Sequence, residues 1–313
     1  MTTIGEMSED ALIALFAPRL PSTDVEVLGP GDDAAIISID GDLVVSSDVL
    51  IEGRHFKLGW STAADVGWRA AIQNIADIDA MGAVATALQV TLAAPSETPV
   101  DWVLGFADGL REACEPLGVG VVGGDLSSAT EIAISVTALG ETHGTAPVTR
   151  ADAVAGQVIA VSGMLGAGKA GYEQLAAGVR VDEATVALFL RPNPRIGAGL
   201  EAALYGAVAL MDLSDGLVRD AGRIAKASEV GMALDSASLP VHPGVAVAAQ
   251  ALGGDATQWA LTGGEDHHML AVFPTESAVP EGWSVVGVTT DDHEGVRVDG
   301  AEPTDQGWDH FLR

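Results

Sequence analysis

The sequence predicts a two-domain chain of mixed α+β or α/β class. Three observations carry that expectation. With 313 residues, 48% of them apolar, the chain is long enough for a large core, and its length favours one or two domains. Runs with the two-residue period of strands alternate with runs of helical spacing, a mixture that points to an α+β or α/β domain closing near residue 148. The stretch 143–156, rich in small residues and threonine with Pro147 and Arg150, reads as a linker, so the expected domains are 1–148 and 149–313.

In chain order, Ser8 followed by Glu9 and Asp10 reads as a helix start, with Leu12, Ile13, Leu15 and Phe16 as the apolar face and Pro21 as the stop. Gly29-Pro30-Gly31-Asp32-Asp33-Ala34-Ala35 sets paired acids between glycines, which let the backbone turn tightly and approach a ligand. The apolar run 43–45 reads as a strand that ends in Ser46-Ser47-Asp48, a usual place for site residues. Glu52-Gly53-Arg54-His55-Phe56 reads as a turn, with His55 between a cation and an aromatic ring. Residues 62–81 read as a long helix, because Ile72, Ile75, Ile78 and Met81 recur at helical spacing. Asn74 and Asp77 share a face of it, so Asp77 can reach inward as a ligand, while Asp79 reads as part of the solvated polar side. Strands are expected over 86–92, 119–122 and 131–139, a helix over 99–117, and Gly123-Gly124-Asp125 follows the second of these strands.

In the second half, 157–162 reads as a strand and leads into Gly163-Met164-Leu165-Gly166-Ala167-Gly168-Lys169, which has the spacing of a phosphate-binding P-loop. The next residue is Ala170, where a P-loop needs Ser or Thr to hold magnesium, so the segment reads as a glycine-rich turn before a helix. Residues 191–195 separate two helical stretches. The strand-like run 207–211 delivers Asp212 and Asp215, and a helix follows over 217–227. Ser214 is placed to cap that helix, and a helix N-terminus also favours a phosphate. Gly263-Gly264-Glu265-Asp266 precedes the apolar run 269–273, and Gly307-Trp308-Asp309-His310-Phe311 comes last.

Composition excludes some partners. There are 44 acids against 15 basic residues, a net charge of −29, and only three lysines. Nucleic acid and anionic membranes attract the opposite sign, so neither is expected as a partner. The single cysteine, Cys114, cannot form an intrachain disulfide, which suits a reducing compartment. Residues 1–10 lack the basic start and apolar core of a secretory signal. No stretch offers the roughly 20 mainly apolar residues of a membrane span. A cytoplasmic protein is expected.

Acids beside glycine or small residues recur in five segments bordered by apolar runs. An acidic chain with few lysines that handled a polyphosphate would neutralise its charge with divalent cations. Asp33, Asp48, Asp77, Asp125, Asp212 and Asp215 make sense together on that basis, with either Asp32 or Asp33 as the ligand of the first pair. Such hard oxygen donors suit magnesium, and two or more ions would bridge the phosphates. A non-catalytic sensor of nucleotide and metal is the alternative from another class, but a sensor would not need so many ligating acids.

The ordered set of these motifs, from Gly31-Asp32-Asp33-Ala34-Ala35 through Ser46-Ser47-Asp48, 52–56, 74–82, Gly123-Gly124-Asp125 and Asp212-Leu213-Ser214-Asp215-Gly216-Leu217 to Gly263-Gly264-Glu265-Asp266, resembles the thiamine-monophosphate kinase family. That family lies within the superfamily of aminoimidazole ribonucleotide synthetase-like ATP-binding proteins, and the resemblance runs from about residue 4 onward. It implies transfer of the γ-phosphate of ATP onto thiamine monophosphate. It further implies that Asp33, Ser46, Ser47, Asp48, Asp77, Asp125, Asp212 and Asp215 hold magnesium, with Asp48, Asp125, Asp212 and Asp215 central to catalysis. Gly124, Asp125, Arg150 and Ser214 would contact ATP, and His55, Glu265 and Trp308 the thiamine moiety. The implied fold has an N-terminal sheet that pairs with that of a second subunit into a β-barrel, plus a C-terminal α/β domain, hence a homodimer with nucleotide clefts between domains and subunits.

Two physical points agree with this. A phosphate monoester, with a second pKa of about 6, is already mostly dianionic at neutral pH and needs no general base. The permanent charge of a thiazolium ring suits an aromatic face such as Trp308 and an acid such as Glu265. The chain departs from the family's usual pattern at His267-His268, where Tyr-Glu is common, at Ser47, where Thr is usual, and at Trp308, where Tyr is common.

Overall fold

The computed structural model describes residues 2–30, 34–292 and 295–308. Asp32, Asp33 and the tail residues Asp309, His310 and Phe311 lie outside them. The chain forms two compact units, residues 1–78 with 83–145, and residues 79–82 with 146–313. The expected boundary at 148 lies beside the crossing at 145.

In the first unit, the Ser8 hydroxyl accepts the Ala11 N–H and starts α1 (Glu9–Phe16). Only Leu12 and Phe16 of the expected apolar face are buried, while Ile13 and Leu15 stay exposed. β1 (Glu26–Leu28) and β2 (Ile36–Ile37) pair as an antiparallel ribbon. β3 (Leu43–Ile51), β4 (Val84–Ala94), β5 (Gly120–Ser128) and β6 (Ala133–Glu141) form a sheet in the order β3-β6-β4-β5. Within it β4 and β5 are parallel and the other pairs antiparallel. Strand alternation buries Leu50, Ile134, Val136, Ala138, Val90 and Leu92 on one face. α2 (Ala63–Asp79) follows the predicted spacing, with Ile72, Ile75 and Ile78 buried. α3 (Val100–Cys114) crosses it closely at glycines, since a Cβ on Gly67 or Gly109 would run into the carbonyl of Phe106 or Ala64. Burial pushes the Cys114 thiol up to about 12.

Two strands outrun expectation. β3 continues to Ile51 and β5 to Ser128, so Ser46, Ser47, Asp48 and Gly123-Gly124-Asp125 lie inside strands rather than past their ends. Serine and glycine favour strands weakly, but ladder pairing along β6 and β4 carries the chain on. At Gly124 the strands come so close that a Cβ would overlap the Val90 carbonyl.

The second unit contains β7 (Val158–Val161), β8 (Ala209–Asp212), β9 (Gly231–Leu234), β10 (Met269–Phe273), β11 (Ser284–Thr290) and β12 (Gly295–Val298). Its helices are α4 (Ala167–Ala176), α5 (Glu183–Leu190), α6 (Ala198–Leu204), α7 (Leu217–Ser228), α8 (Pro243–Leu252) and α9 (Ala256–Thr262). The sheet order is β12-β9-β11-β7-β10-β8, and every pair except β12–β9 is antiparallel. This corrects the α/β expectation for the C-terminal half. The helix-linked strands β7, β8 and β9 do point one way, but β10 and β11 insert between them in the opposite direction, giving an α+β unit. Ile159, Val161, Met211, Ile224, Leu270 and Val272 are buried in its core.

Asp79 is also corrected. It is 3% exposed rather than solvated, and its carboxylate accepts the Gly197 N–H at 2.9 Å and the Leu200 N–H at 3.1 Å. Burial raises its pKa to about 6 against those hydrogen bonds. Next to it, the Met81 carbonyl accepts the Val148 N–H at 3.0 Å. Among the described residues, no helix is long and apolar enough to cross a membrane.

Candidate active site

In the first unit the site is built on β3 and α2. Alternation along β3 turns Ser46 and Asp48 to one face of the sheet and Ser47 to the other. The Ser46 hydroxyl donates to Asp77 Oδ2 at 2.7 Å. The Asp48 N–H donates to Asn74 Oδ1 and Gln73 Nε2 donates to Asp48 Oδ2, both at 3.1 Å. Gln73, Asn74 and Asp77 share one side of α2 because residues three and four apart return to the same side. Ser46, Asp48 and Asp77 are thus brought together. The Ser47 hydroxyl instead donates to the Val136 carbonyl at 3.0 Å.

Cross-strand register puts Asp48, Val136, Val90 and Gly124 in one row, so that Asp125, one residue on, alternates to the same face as Ser47. Gly124 and Asp125 line a hollow of about 270 Å³ together with Pro30, Ala34 and Ala35 from the glycine-rich stretch. His55 Nδ1 accepts the Ile51 N–H at 2.9 Å, which anchors the turn 52–56 to the end of β3.

In the second unit β8 ends at Asp212, which is 4% exposed. Asp212 Oδ2 lies 3.2 Å from His267 Nδ1, and His267 Nε2 lies 3.8 Å from Glu265 Oε2. Burial alone would lower the His267 pKa, but the two carboxylates outweigh it and raise it to about 10. His268, buried without such a partner and beside the charged His267, is lowered to about 4. The Glu265 N–H donates to the Ser214 carbonyl at 2.9 Å, the His267 N–H to that of Leu213 at 2.8 Å, and the Trp308 N–H to that of Asp215 at 3.0 Å. Asp212, Ser214, Asp215, Glu265 and Trp308 therefore converge on one turn. Arg150 is placed by its carbonyl, which accepts the Ser228 hydroxyl at 3.0 Å, and its side chain is exposed.

Ser214 does not cap α7. The N-cap position is Gly216, and the Asp215 N–H donates to the buried Asp220 Oδ2 at 3.0 Å. Burial, with the Asp212 charge adding, raises the Asp220 pKa to about 7. The Asp215 carboxylate pairs with Arg223. Asp220 and Arg223 are the residues here that motif reading missed, and His267, noted there only as a departure from the family's usual pattern, stands with them. Arg219 and Arg223 at four and eight residues from Asp215 were a visible helical signal, whereas the pairing of His267 with Asp212 across 55 residues had none.

The P-loop spacing has another use. Asp266 accepts the Gly166 N–H at 2.6 Å and the Gly168 N–H at 2.9 Å, so the chain's own carboxylate fills the anion nest, and Lys169 pairs with Glu173 at 2.6 Å. Among the described residues no three His, Cys, Asp or Glu side chains converge to hold a metal by themselves. Asp48 and Asp77 with the Ser46 hydroxyl offer two carboxylates and hard oxygen throughout, a set that fits magnesium, which takes its remaining ligands from water and phosphate.

Residues 31–142 match the family described as AIR synthase related protein, N-terminal domain. A thiamine-monophosphate kinase of Mycobacterium tuberculosis (strain CDC 1551 / Oshkosh) is 44% identical over 314 residues, covering 99% of this chain and 93% of its own. One of Corynebacterium glutamicum is 37% identical, covering 99% and 95%. Among solved structures, AaThiL complexed with AMPPCP and TMP is 33% identical, covers 99% of both chains and superposes with a TM-score of 0.82. Identity at this level along nearly the whole length, on a shared fold, is not a matter of one domain or one motif: the chain belongs to the thiamine-monophosphate kinase family of enzymes.

Proposed function

We propose that this chain transfers the γ-phosphate of ATP to thiamine monophosphate, releasing ADP and thiamine diphosphate, the last step in making that cofactor. One observation carries the reading: full-length relatives bear the name thiamine-monophosphate kinase, and a like-folded member holds an ATP analogue together with TMP.

The acids Asp33, Asp48, Asp77, Asp125, Asp212 and Asp215, with Ser46 and Ser47, are the residues that would hold magnesium. When bound, magnesium supplies charge neutralisation at the phosphates and orients them for in-line transfer. Gly124, with no side chain on an exposed stretch of β5, leaves the backbone open to a phosphate, and Asp125, Arg150 and Ser214 complete the ATP contacts. Trp308, 57% exposed, offers a ring face to the thiazolium cation, with the Glu265 carboxylate and His55 as its other partners. The acceptor phosphate is dianionic near neutral pH, so none of these residues has to remove a proton from it.

The reading assigns ATP, metal and dimer contacts to residues 1–148 and completion of the nucleotide and substrate cleft to 149–313. A homodimer joined through paired sheets as a β-barrel is supported by the face of β3 that carries Leu43, Val45 and Val49, exposed at 46%, 54% and 47%. A cytoplasmic location suits the buried free thiol of Cys114.

Purified protein incubated with ATP, magnesium and thiamine monophosphate should form thiamine diphosphate and ADP in equal amounts, read by chromatography. Turnover of ATP only with some other acceptor would replace this reading with a sibling activity of the superfamily.

A further inference from the structure

The turn Gly163–Lys169 has the spacing of a phosphate loop, and the proposed reaction makes no use of it. Its nest is filled by Asp266, a buried residue whose carboxylate holds the N–H groups of Gly166 and Gly168. Asp266 stands between Glu265 and His267, whose φ angles of 71° and 56° lie in the left-handed region. A residue other than glycine keeps that conformation only where its surroundings over-determine it, and such residues gather at functional sites.

Here the surroundings act from two sides. On one, the N–H groups of Glu265 and His267 are taken by the carbonyls of Ser214 and Leu213. On the other, the start of α4 presses on the loop at Gly168, where a Cβ would stand 2.6 Å from the Gly264 carbonyl oxygen and 3.1 Å from Glu265 Cβ. Gly163 makes the same allowance for the His268 ring, and Gly264 for the Ser214 carbonyl. Of the loop's glycines, Gly168 faces this strained segment and Gly163 the His268 ring just after it, while Gly166 packs against Trp259 and Ala260 of α9 and gives its N–H to Asp266.

We infer that the turn Gly163–Lys169 is the mount of the Glu265 loop and that Asp266 is a positioning residue: its carboxylate takes the place of a phosphate in the nest and fixes where Glu265 meets the cationic ring of the substrate. This rests on the assignment of Glu265 to thiamine monophosphate made above. It makes substrate affinity, rather than phosphate transfer or ATP binding, the property that Asp266 controls.

Asp266→Asn in the full chain tests it, because an amide turns an N–H toward one of the two backbone donors. The expected result is a KM for thiamine monophosphate raised about tenfold with the KM for ATP within about twofold of wild type. Glu265→Gln should then cost less in the Asp266→Asn background than alone, since the two act on one contact. A variant that only loses melting temperature and active fraction, with both KM values unmoved, overturns the inference. Should Asp266→Asn not fold, Gly168→Ala, which displaces Glu265 from the opposite side, must give the same split in KM. If neither folds, the contact is a requirement of folding and the inference is overturned. If wild-type protein leaves thiamine monophosphate unphosphorylated, the substrate assignment fails instead. The mount is then read by hydrogen exchange, with the Glu265 and His267 amides expected to exchange faster in Asp266→Asn and unchanged rates counting against it.

Discussion

Asp77 and Asp79 stand two residues apart on α2, a rotation of about 200° around the helix. One accepts the Ser46 hydroxyl at a half-buried position, and the other is buried and holds the N–H groups of Gly197 and Leu200. The ligand assignment therefore turns on which side of an element an acid occupies. On that basis Asp48→Asn and Asp215→Asn should each bring turnover below about 1% of wild type while leaving circular dichroism unchanged. Near-normal turnover at limiting magnesium would remove that residue from the metal set. Asp266 makes a separate prediction through pH. Burial raises its pKa from 3.8 to about 6, against the Gly168 and Gly166 N–H groups and the His267 charge. The folded value lies above the unfolded one, so its contribution is fully present below about pH 4 and is lost as pH rises through about 6. Over that window wild type should lose about 3 kcal/mol relative to Asp266→Asn in urea unfolding. A difference that stays flat with pH would contradict the burial argument.

Helix α4 is tied to the chain that follows it through the side chain of Gln174, beside the edge contact of Tyr172 with Phe189. Gln174 is fully buried, its Oε1 takes the N–H groups of Val181 and Asp182 at 2.8 Å each, and its Nε2 donates to Thr185 Oγ1 at 2.8 Å. Gln174→Ala would take the acceptor from two part-buried N–H groups, leave Thr185 without its donor and empty a fully buried site, and should cost about 3 kcal/mol in chemical denaturation. A loss under about 1 kcal/mol would mean that water replaces the amide. Elements with a cap or a clear period were legible in the sequence: Ser8 before α1, the isoleucines of α2, the apolar run of β10. Strand ends were not, because β3 and β5 continue through serine and glycine only by virtue of their neighbours. Nor was strand order, since nothing in periodicity places β10 and β11 between β7, β8 and β9. The same limits govern the site. That Asp48 and Asp77 turn toward one another was readable from local pattern, whereas the turn of Ser47 and Asp125 to the other face depends on reading 43–51 and 120–128 as unbroken strands. The bond between His267 and Asp212 comes from the pairing of β10 with β8.

Across the whole molecule, a net charge of −29 coexists with an open apolar face on β3. Like charge resists association, so a dimer has to form where apolar area outweighs it. Sedimentation should find wild type as a dimer, and Val45→Lys with Val49→Lys as a folded monomer. A monomeric wild type at micromolar concentration would end the barrel proposal. The path of the chain carries a last consequence. Residues 79–82 belong to the second unit although the first unit flanks them on both sides. Splicing at the linker would leave that strip with the wrong fragment, and the N–H groups of Gly197, Leu200 and Val148 would lose the partners it supplies. A C-terminal half cut free at the linker would thus carry three backbone donors whose acceptors stay behind on the other fragment.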